Sequence, residues 1–357
     1  MSLPLNYEQR TALVDFGALA SIKQAKPFGT KLALGAVLVG VVCGTLFNTL
    51  PIFGSVAHVE APPGLQPVKT QAPPPLIVKI KPVKPAEPEW RRYLANRDGL
   101  KSPSEKHLHY YQSDNPVVDR KTLRNISSYY GLPPELLYYQ NYMESNGQCL
   151  NAASKKGAVG CFQFLEATAK EFGLITDSGD YRTRAAASAD AAARYMLWLA
   201  IVMYGEQADL GNWEQLRHVL AAYNAGYAVV TKSGTPQIPT YVETVNYVTK
   251  IESLVKGDAV IVRSGETLEA LSERVGVSVE TLLRSNVSIT GPKELRTGMV
   301  LLLPDSDGMS RVVVRKGMNL YSIHRRTGVS LEQLSLANGL GKNNTIQTGT
   351  VLLIPSV

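Results

Sequence analysis

Glu144 is the residue whose type and setting first suggest chemistry. It lies at the end of a helix predicted from about residue 132, where two prolines occupy the first turn. It follows the bulky side chains of Tyr139, Tyr142 and Met143. An apolar setting raises the pKa of a glutamic acid, so that it can donate a proton near neutral pH. By itself a helix-end glutamate is more often simply solvated, and the interpretation therefore depends on the segments that follow.

Those segments predict a helical domain around Glu144. GAVGCFQF at 157–164 is a small-residue turn that presents Phe162 and Gln163. Helices are predicted at 165–172, 184–204, 213–223 and 241–254. AAYNAG at 221–226 ends one of them with a glycine stop, and ETVNYV at 243–248 lies in the last.

Glu144-Ser145, GAVGCFQF, AAYNAG and ETVNYV, in this order over about 135 residues, resemble the lysozyme-like catalytic domain of the soluble lytic transglycosylases. The resemblance implies cleavage of the β-1,4 bond between N-acetylmuramic acid and N-acetylglucosamine in peptidoglycan. Glu144 would protonate the leaving oxygen, the N-acetyl group would assist, and Glu144 as a base would then activate the sugar's own 6-hydroxyl. The product would be a 1,6-anhydro sugar. No Asp or Glu lies between Glu144 and Glu166 to act as a second carboxylate.

The same resemblance assigns supporting roles. Ser145 and Ser154 would bond near the acid and the N-acetyl group. The glycan groove would be lined by Phe162, Gln163, Tyr223, Asn224 and Tyr247. Glu243 is interpreted as a structural hydrogen-bond acceptor. Neither a cofactor nor a metal is expected.

The sequence departs from the family pattern at Cys161 and Glu166, and the spacing from Glu144 to Gln163 is about one residue longer than usual. Two alternatives stay open. One is a hydrolytic muramidase similar to goose-type lysozymes, for which Asp177 or Asp180 would be second carboxylates without a motif. The other is a mainly structural wall-binding component of a secretion, conjugation or phage system.

Cysteine usage fits a secreted domain. Cys149 and Cys161 lie 12 residues apart across the active-site loop and can form a disulfide in an oxidising compartment. Whether they are close enough to bridge does not follow from the sequence. No histidine accompanies Cys161, so a catalytic thiol is not indicated.

Residues 259–357 repeat at a shift of 52, and each unit is predicted to run strand, helix, helix, strand. The repeats resemble LysM modules, which bind glycans containing N-acetylglucosamine. The resemblance places sugar between the first strand–helix loop and the loop before the last strand. The candidate glycan-binding residues are Gly265, Glu266, Thr267 and Leu268 in the first unit, and Gly317 and Asn319 in the second. Because Met318-Asn319 replaces the Glu-Thr pair, the first module is expected to bind more tightly.

Residues 32–50 carry no charge and are long enough to nearly span a bilayer as a helix. Lysines precede the run, so the positive-inside rule places the N-terminus in the cytoplasm and the later domains in the periplasm. The prediction is a retained, single-pass inner-membrane anchor. Signal-peptide cleavage after Ala57 and lipidation of Cys43 are alternatives. Beyond the anchor, dense proline predicts an extended spacer.

The predicted architecture is a mainly α lysozyme-like domain and two small α+β modules behind an anchor and a linker. Its parts are a cytoplasmic segment at 1–31, a transmembrane helix at 32–53, a Pro-rich periplasmic linker at 54–90, the catalytic domain at 91–256 and LysM modules at 259–305 and 311–357. The net charge of +7 does not require nucleic acid as a partner. Peptidoglycan glycan strands and the inner membrane are the expected partners, and an envelope-spanning machine is a further hypothesis.

Overall fold

The computed structural model describes residues 87–355, except 151–152, 290, 306 and 342. The predicted cytoplasmic segment, the transmembrane helix and the linker up to residue 86 lie outside the described residues. The end of the predicted linker is already folded, because Glu89–Arg91 forms a 3-10 helix and Trp90 is buried. The first domain therefore includes residues that the sequence pattern assigns to the linker.

The first domain is helical, as predicted. Its α-helices are α1 (Arg92–Ala95), α2 (Arg120–Tyr129), α3 (Leu136–Ser145), α4 (Glu166–Glu171), α5 (Ala185–Tyr204), α6 (Trp213–Ala225), α7 (Tyr227–Val230) and α8 (Val242–Lys256). Strands β1 (Ile175–Thr176) and β2 (Gly179–Asp180) form a short antiparallel hairpin. Further 3-10 helices are Arg97–Lys101, Glu105–Tyr111 and Gly205–Gln207. Helix α3 starts at Leu136, later than predicted. A proline disfavours the helical conformation in the residue before it, which here affects Leu132 and Pro133.

Helix α5 forms the centre of this domain. Its first half is rich in alanine, whose small side chain lets neighbouring helices approach closely, and most of these alanines are fully buried. The stretch Ala185–Gln207 is long and apolar enough to cross a membrane by length and composition alone, but 72% of its apolar stretch is buried inside the protein. It is therefore a core helix of the domain.

A buried ion pair on α5 holds the N-terminal segments in place. Asp190 and Arg194 are fully buried and joined by a 2.8 Å bond between Oδ2 and Nε. The Asp190 carboxylate is also bonded to His107, Tyr111 and Tyr130. Arg194 donates to the backbone carbonyls of Leu100 and Phe172 at 2.7 and 2.9 Å. Burial opposes ionisation of Asp190, but Arg194 and His107 hold its pKa below the usual range.

The predicted order of strand, helix, helix and strand is confirmed in both repeats. The first contains β3 (Ala259–Ile261), α9 (Leu268–Val275), α10 (Val279–Ser285), a 3-10 turn (Pro292–Glu294) and β4 (Val300–Leu302). The second contains β5 (Ser310–Val313), α11 (Leu320–Thr327), α12 (Leu331–Ala337) and β6 (Val351–Ile354). Each pair of strands is antiparallel, with Val260 opposite Leu301 and Val312 opposite Leu352.

The repeats share their cores with their neighbours. Ala259 and Val300 of the first repeat pack into the core of the helical domain. Val287 of the first repeat packs into the core of the second. Ser285 and Ser310 are hydrogen-bonded across the same junction at 2.6 Å. The helical domain and the two repeats are therefore packed against each other directly.

In each repeat, a glycine at the equivalent position contacts the helical domain. The Gly298 carbonyl accepts a 2.9 Å hydrogen bond from the Tyr142 hydroxyl on α3. Gly349, at the same position of the second repeat, lies against Thr240 just before α8, where an added Cβ would meet the Thr240 carbonyl oxygen at 1.8 Å. Side-chain atoms have no room at this second contact.

This contact predicts that Gly349→Ala loosens the second repeat. The substitution places a methyl group against backbone and should cost about 1–3 kcal/mol beyond the strain of an alanine at φ +85°. Chemical denaturation of the purified protein measures the loss. Gly317→Ala is the matched control, because its φ is +87° and nothing lies within 4 Å of its added Cβ. Equal losses in the two variants would contradict the contact.

Candidate active site

Glu144 is positioned by the end of α3 and by a tyrosine of α8. Helix α3 stops one residue later, because Asn146 adopts a left-handed conformation with φ 53° that asparagine tolerates better than most residues. The Tyr247 hydroxyl donates a 2.6 Å hydrogen bond to Oε1 of Glu144. Tyr247 is buried, whereas Glu144 is only partly buried. The carboxyl group is thus held in a defined place, on a residue that is not completely buried.

The environment of Glu144 suits a proton donor. Loss of hydration on burial raises its pKa to about 7. The hydrogen bond from Tyr247 acts in the opposite direction, because it stabilises the carboxylate, and the negative charge of Glu243 adds to the increase. Near neutral pH the group is therefore divided between its acid and base forms, which suits a residue that must act as both.

The loop after α3 is fastened beside Glu144. Cys149 and Cys161 are joined as a disulfide, with their Cα atoms 4.2 Å apart. The Ser145 hydroxyl donates to the Cys161 carbonyl at 3.0 Å, and the Tyr223 hydroxyl donates to the Phe162 carbonyl at 2.8 Å. The pKa of Tyr223 is raised well above its usual value by burial and by the charge of Glu144. Tyr223 is therefore part of the same cluster.

Three of the other residues predicted for the site have local bonding roles. The Ser154 hydroxyl accepts from the Ala158 amide at 3.0 Å and closes an exposed turn. Gln163 has a left-handed backbone with φ 50°, and its side-chain amide donates to the Gly160 carbonyl. The Asn224 side-chain oxygen accepts from the Thr244 hydroxyl at 2.8 Å and so links the end of α6 to α8.

Phe162 differs from the prediction. Its ring is fully buried in the core of the helical domain, and its carbonyl is already bonded to Tyr223. A glycan in the groove cannot touch a ring with no exposed surface. The sequence pattern predicts an aromatic residue at a loop tip. In the structure, side chains of this short segment alternate in direction, so that Phe162 and Phe164 both point into the core of the helical domain.

Glu243 is the carboxylate whose charge acts on Glu144. It is exposed in the first turn of α8. The prediction that it is a structural hydrogen-bond acceptor is not supported, since its carboxylate has no hydrogen-bond partner among the residues that the structure describes. Asp180, a candidate for the muramidase alternative, is ion-paired with Arg182 at 2.7 Å. Among the described residues, no group of three or more His, Cys, Asp or Glu side chains could hold a metal ion.

Glu266, a predicted glycan-binding residue of the first repeat, has a structural role. Glu266 forms an ion pair with Arg274 at 2.6 Å and accepts from the Arg263 amide. Burial opposes its ionisation, but Arg274 brings its pKa below the usual value. The sulfur of Met318 accepts from the Arg315 amide in the second repeat in the same way. The acid is therefore turned into its own module and is not presented to a glycan.

The next positions cap a helix in both repeats. Thr267 accepts from the Ala270 amide at the start of α9, and Asn319 caps α11 through Ser322. Leu268 is 1% exposed, so it packs and does not contact sugar. Gly265 and Gly317 are exposed with φ +71° and +87°, and their role is to permit the turn. Both repeats therefore form the same turn and helix cap, with Glu266 and Thr267 in the first repeat and Met318 and Asn319 in the second.

Comparison with known proteins agrees with this geometry. Residues 122–237 match the model of the transglycosylase SLT domain, and residues 260–304 and 312–355 match that of the LysM domain. No curated protein matches the chain. Among solved structures, the chain is similar to the Bacillus megaterium QM B1551 spore cortex-lytic enzyme SleL, with 21% identity over 28% of this chain and 22% of that chain, and a TM-score of 0.15. That likeness is too slight to carry an argument.

The SLT match includes Glu144, the disulfide loop and Tyr223, but it ends before α8. Tyr247, which holds the Glu144 carboxyl, therefore joins the site from outside the matched residues. The chain contains a transglycosylase SLT domain followed by two LysM domains, and this combination supports a lysozyme-like enzyme that acts on peptidoglycan.

Proposed function

We propose that the protein is a lytic transglycosylase that cleaves the β-1,4 bond between N-acetylmuramic acid and N-acetylglucosamine and leaves a 1,6-anhydro end. The observation that carries the proposal is the carboxyl group of Glu144, which Tyr247 holds in place and whose pKa is raised to about 7. One group poised between acid and base can perform both proton transfers that a non-hydrolytic cleavage needs.

In the first step the Glu144 carboxyl gives its proton to the glycosidic oxygen, and the bond from that oxygen to C1 of muramic acid breaks. The sugar's N-acetyl oxygen stabilises the positive charge at C1. In the second step the Glu144 carboxylate removes the proton of the 6-hydroxyl, whose oxygen bonds to C1. Tyr247 holds the carboxyl throughout and would stabilise its charged form between the two steps. Water is not consumed.

The rest of the chain fits this activity. Gln163, Tyr223 and Asn224 would line the glycan groove, and the two LysM domains would hold the enzyme on the wall. The domain boundaries also belong to this proposal, with the catalytic domain beginning at Glu89 instead of residue 91 and ending at 256, and with LysM modules at 259–305 and 311–357. So does retention in the inner membrane through residues 32–53, with the enzyme in the periplasm.

The hydrolytic alternative is favoured by one observation, the charge of Glu243 acting on Glu144. A second carboxylate near the acid could position a water molecule for attack at C1, as an inverting glycosidase requires. Glu243 is exposed and lies on α8, beside the turn of that helix that carries Tyr247. Its substitution therefore separates the two mechanisms.

Glu144→Gln is expected to lower the release of soluble muropeptides from purified sacculi by about 10²–10⁴-fold, because proton transfer is lost. The variant should be folded and bind sacculi as before, since the amide is close in size and removes a carboxylate that is costly to bury. Activity within tenfold of the unmodified enzyme would contradict the assignment of Glu144 as the catalytic acid.

Glu243→Gln is the matched control, because it removes the neighbouring carboxylate at an exposed position. Under the proposed mechanism its activity stays within a few-fold of the unmodified enzyme. A loss as large as that of Glu144→Gln would show that Glu243 takes part in the reaction and would favour hydrolysis.

Tyr247→Phe is expected to move the alkaline limb of the activity profile to higher pH. The profile should fall above about pH 7, where Glu144 loses the proton that it must donate. The Tyr247 hydrogen bond stabilises the carboxylate, so removing it raises the pKa of Glu144 further. Rates of muropeptide release measured across pH 5–10 would contradict this if the limb stayed in place or moved to lower pH.

The products distinguish the two mechanisms directly. Cleavage without water yields chain ends that are lighter than hydrolysed ends by one water, about 18 mass units. Digestion in water enriched in heavy oxygen should leave these ends unlabelled in mass spectra. Labelled reducing muramic ends as the main product would establish a muramidase instead.

A further inference from the structure

A cleft lies where α8 meets the two LysM domains. It has a volume of about 100 Å³. Helix α8 contributes Asn246 and Lys250, the first module contributes residues 285–288 and 299–302, and the second contributes residues 311–313 and Arg315. None of its lining residues is among the residues described around Glu144, whereas Val287 and Ser288 belong to the loop before β4 that the resemblance assigns to the sugar groove of the first module.

The charged residues that line this cleft are all basic. Lys250, Arg311 and Arg315 line it, and none of the described lining residues is acidic. The carboxylate of Asp305 is 3.8 Å from Arg311, which is a weak ion pair. Lys250 and Arg315 have no acidic partner among the described residues. Three cations thus converge on a small space with little compensation.

This arrangement is costly for the protein alone. Burial lowers the pKa of Lys250, and the positive charge of Arg315 lowers it further. Both effects mean that the ammonium is held in a place that disfavours its charge. A bound anion would reverse both effects, because it would replace lost hydration and screen the two like charges. The second module is also the more basic one, with six Lys or Arg and one acid in residues 311–357.

We propose that this cleft binds an oxyanion, namely a carboxylate of the peptide stems that peptidoglycan carries on its muramic acid. The cleft is far smaller than pockets of roughly 300–1,000 Å³ that enclose whole ligands, so it suits one carboxylate or phosphate group and not a sugar ring. The cleft belongs to the same packed body as the SLT and LysM domains, so glycan bound by these domains brings its stems close. The choice of stem rests on the proposed function, whereas anion binding does not.

Anion binding is tested first, with the full-length Glu144→Gln protein so that no polymer is cut. Thermal unfolding is followed as inorganic phosphate replaces chloride at constant ionic strength. The midpoint should rise with phosphate, and the rise should disappear in the double variant Lys250→Met, Arg315→Met. Lys316→Met is the control, because it removes an exposed charge next to Arg315 that does not line the cleft. Equal stabilisation of all three proteins by phosphate would overturn the site.

The source of the anion is tested by binding to two polymers. Sacculi that retain their stems should bind the cleft double variant about tenfold more weakly than the protein with an intact cleft. Glycan strands stripped of stems by an amidase should bind both equally. Equal binding of both proteins to stem-bearing sacculi would overturn the stem as ligand. Binding of the intact cleft to vesicles rich in phosphatidylglycerol, lost in the double variant, would identify a lipid phosphate instead.

Discussion

The hydrogen bond between Tyr247 and Glu144 is the interaction on which the site depends, and it makes α8 the central element of the molecule. The bond joins two helices whose residues are 103 positions apart. One turn earlier on the same helix, Thr244 holds the end of α6 through Asn224. Helix α8 then leads through Lys256 and Gly257 into the first strand of the LysM region. Glu144, the end of α6 with Asn224, and the LysM domains are thus all connected to helix α8.

The buried Asp190–Arg194 pair on α5 has a different role, which is to fix the N-terminal segments of the helical domain. A buried ion pair gives little net stability, because loss of hydration offsets most of the attraction, but breaking one leaves a buried charge without a partner. The pair is bonded to segments before residue 119 and to Tyr130, which directly follows α2. It therefore specifies how the N-terminal segments pack and keeps the body of the SLT domain in one arrangement.

The sequence predicted the parts of this protein that depend on local pattern. Helices with apolar periodicity, the glycine after α6 and the repeat at a shift of 52 follow from local chemistry, and all are present. It failed where side-chain direction depends on packing, as for Phe162 and Leu268, which are buried. It also failed for Glu266, because the arginine that turns this acid inward lies eight residues later and has no recognisable signature.

Contacts between domains left no signal in the sequence at all. Gly298 and Gly349 look like ordinary turn glycines of the two repeats, and only the fold shows that both lie against the helical domain. Their equivalence changes how the modules must work. Flexibly tethered modules raise the local concentration of an enzyme on its polymer without fixing where it cuts. Modules packed onto α3 and α8 can bind glycan only in one orientation relative to Glu144, so under the proposed function wall binding and the position of cleavage are coupled.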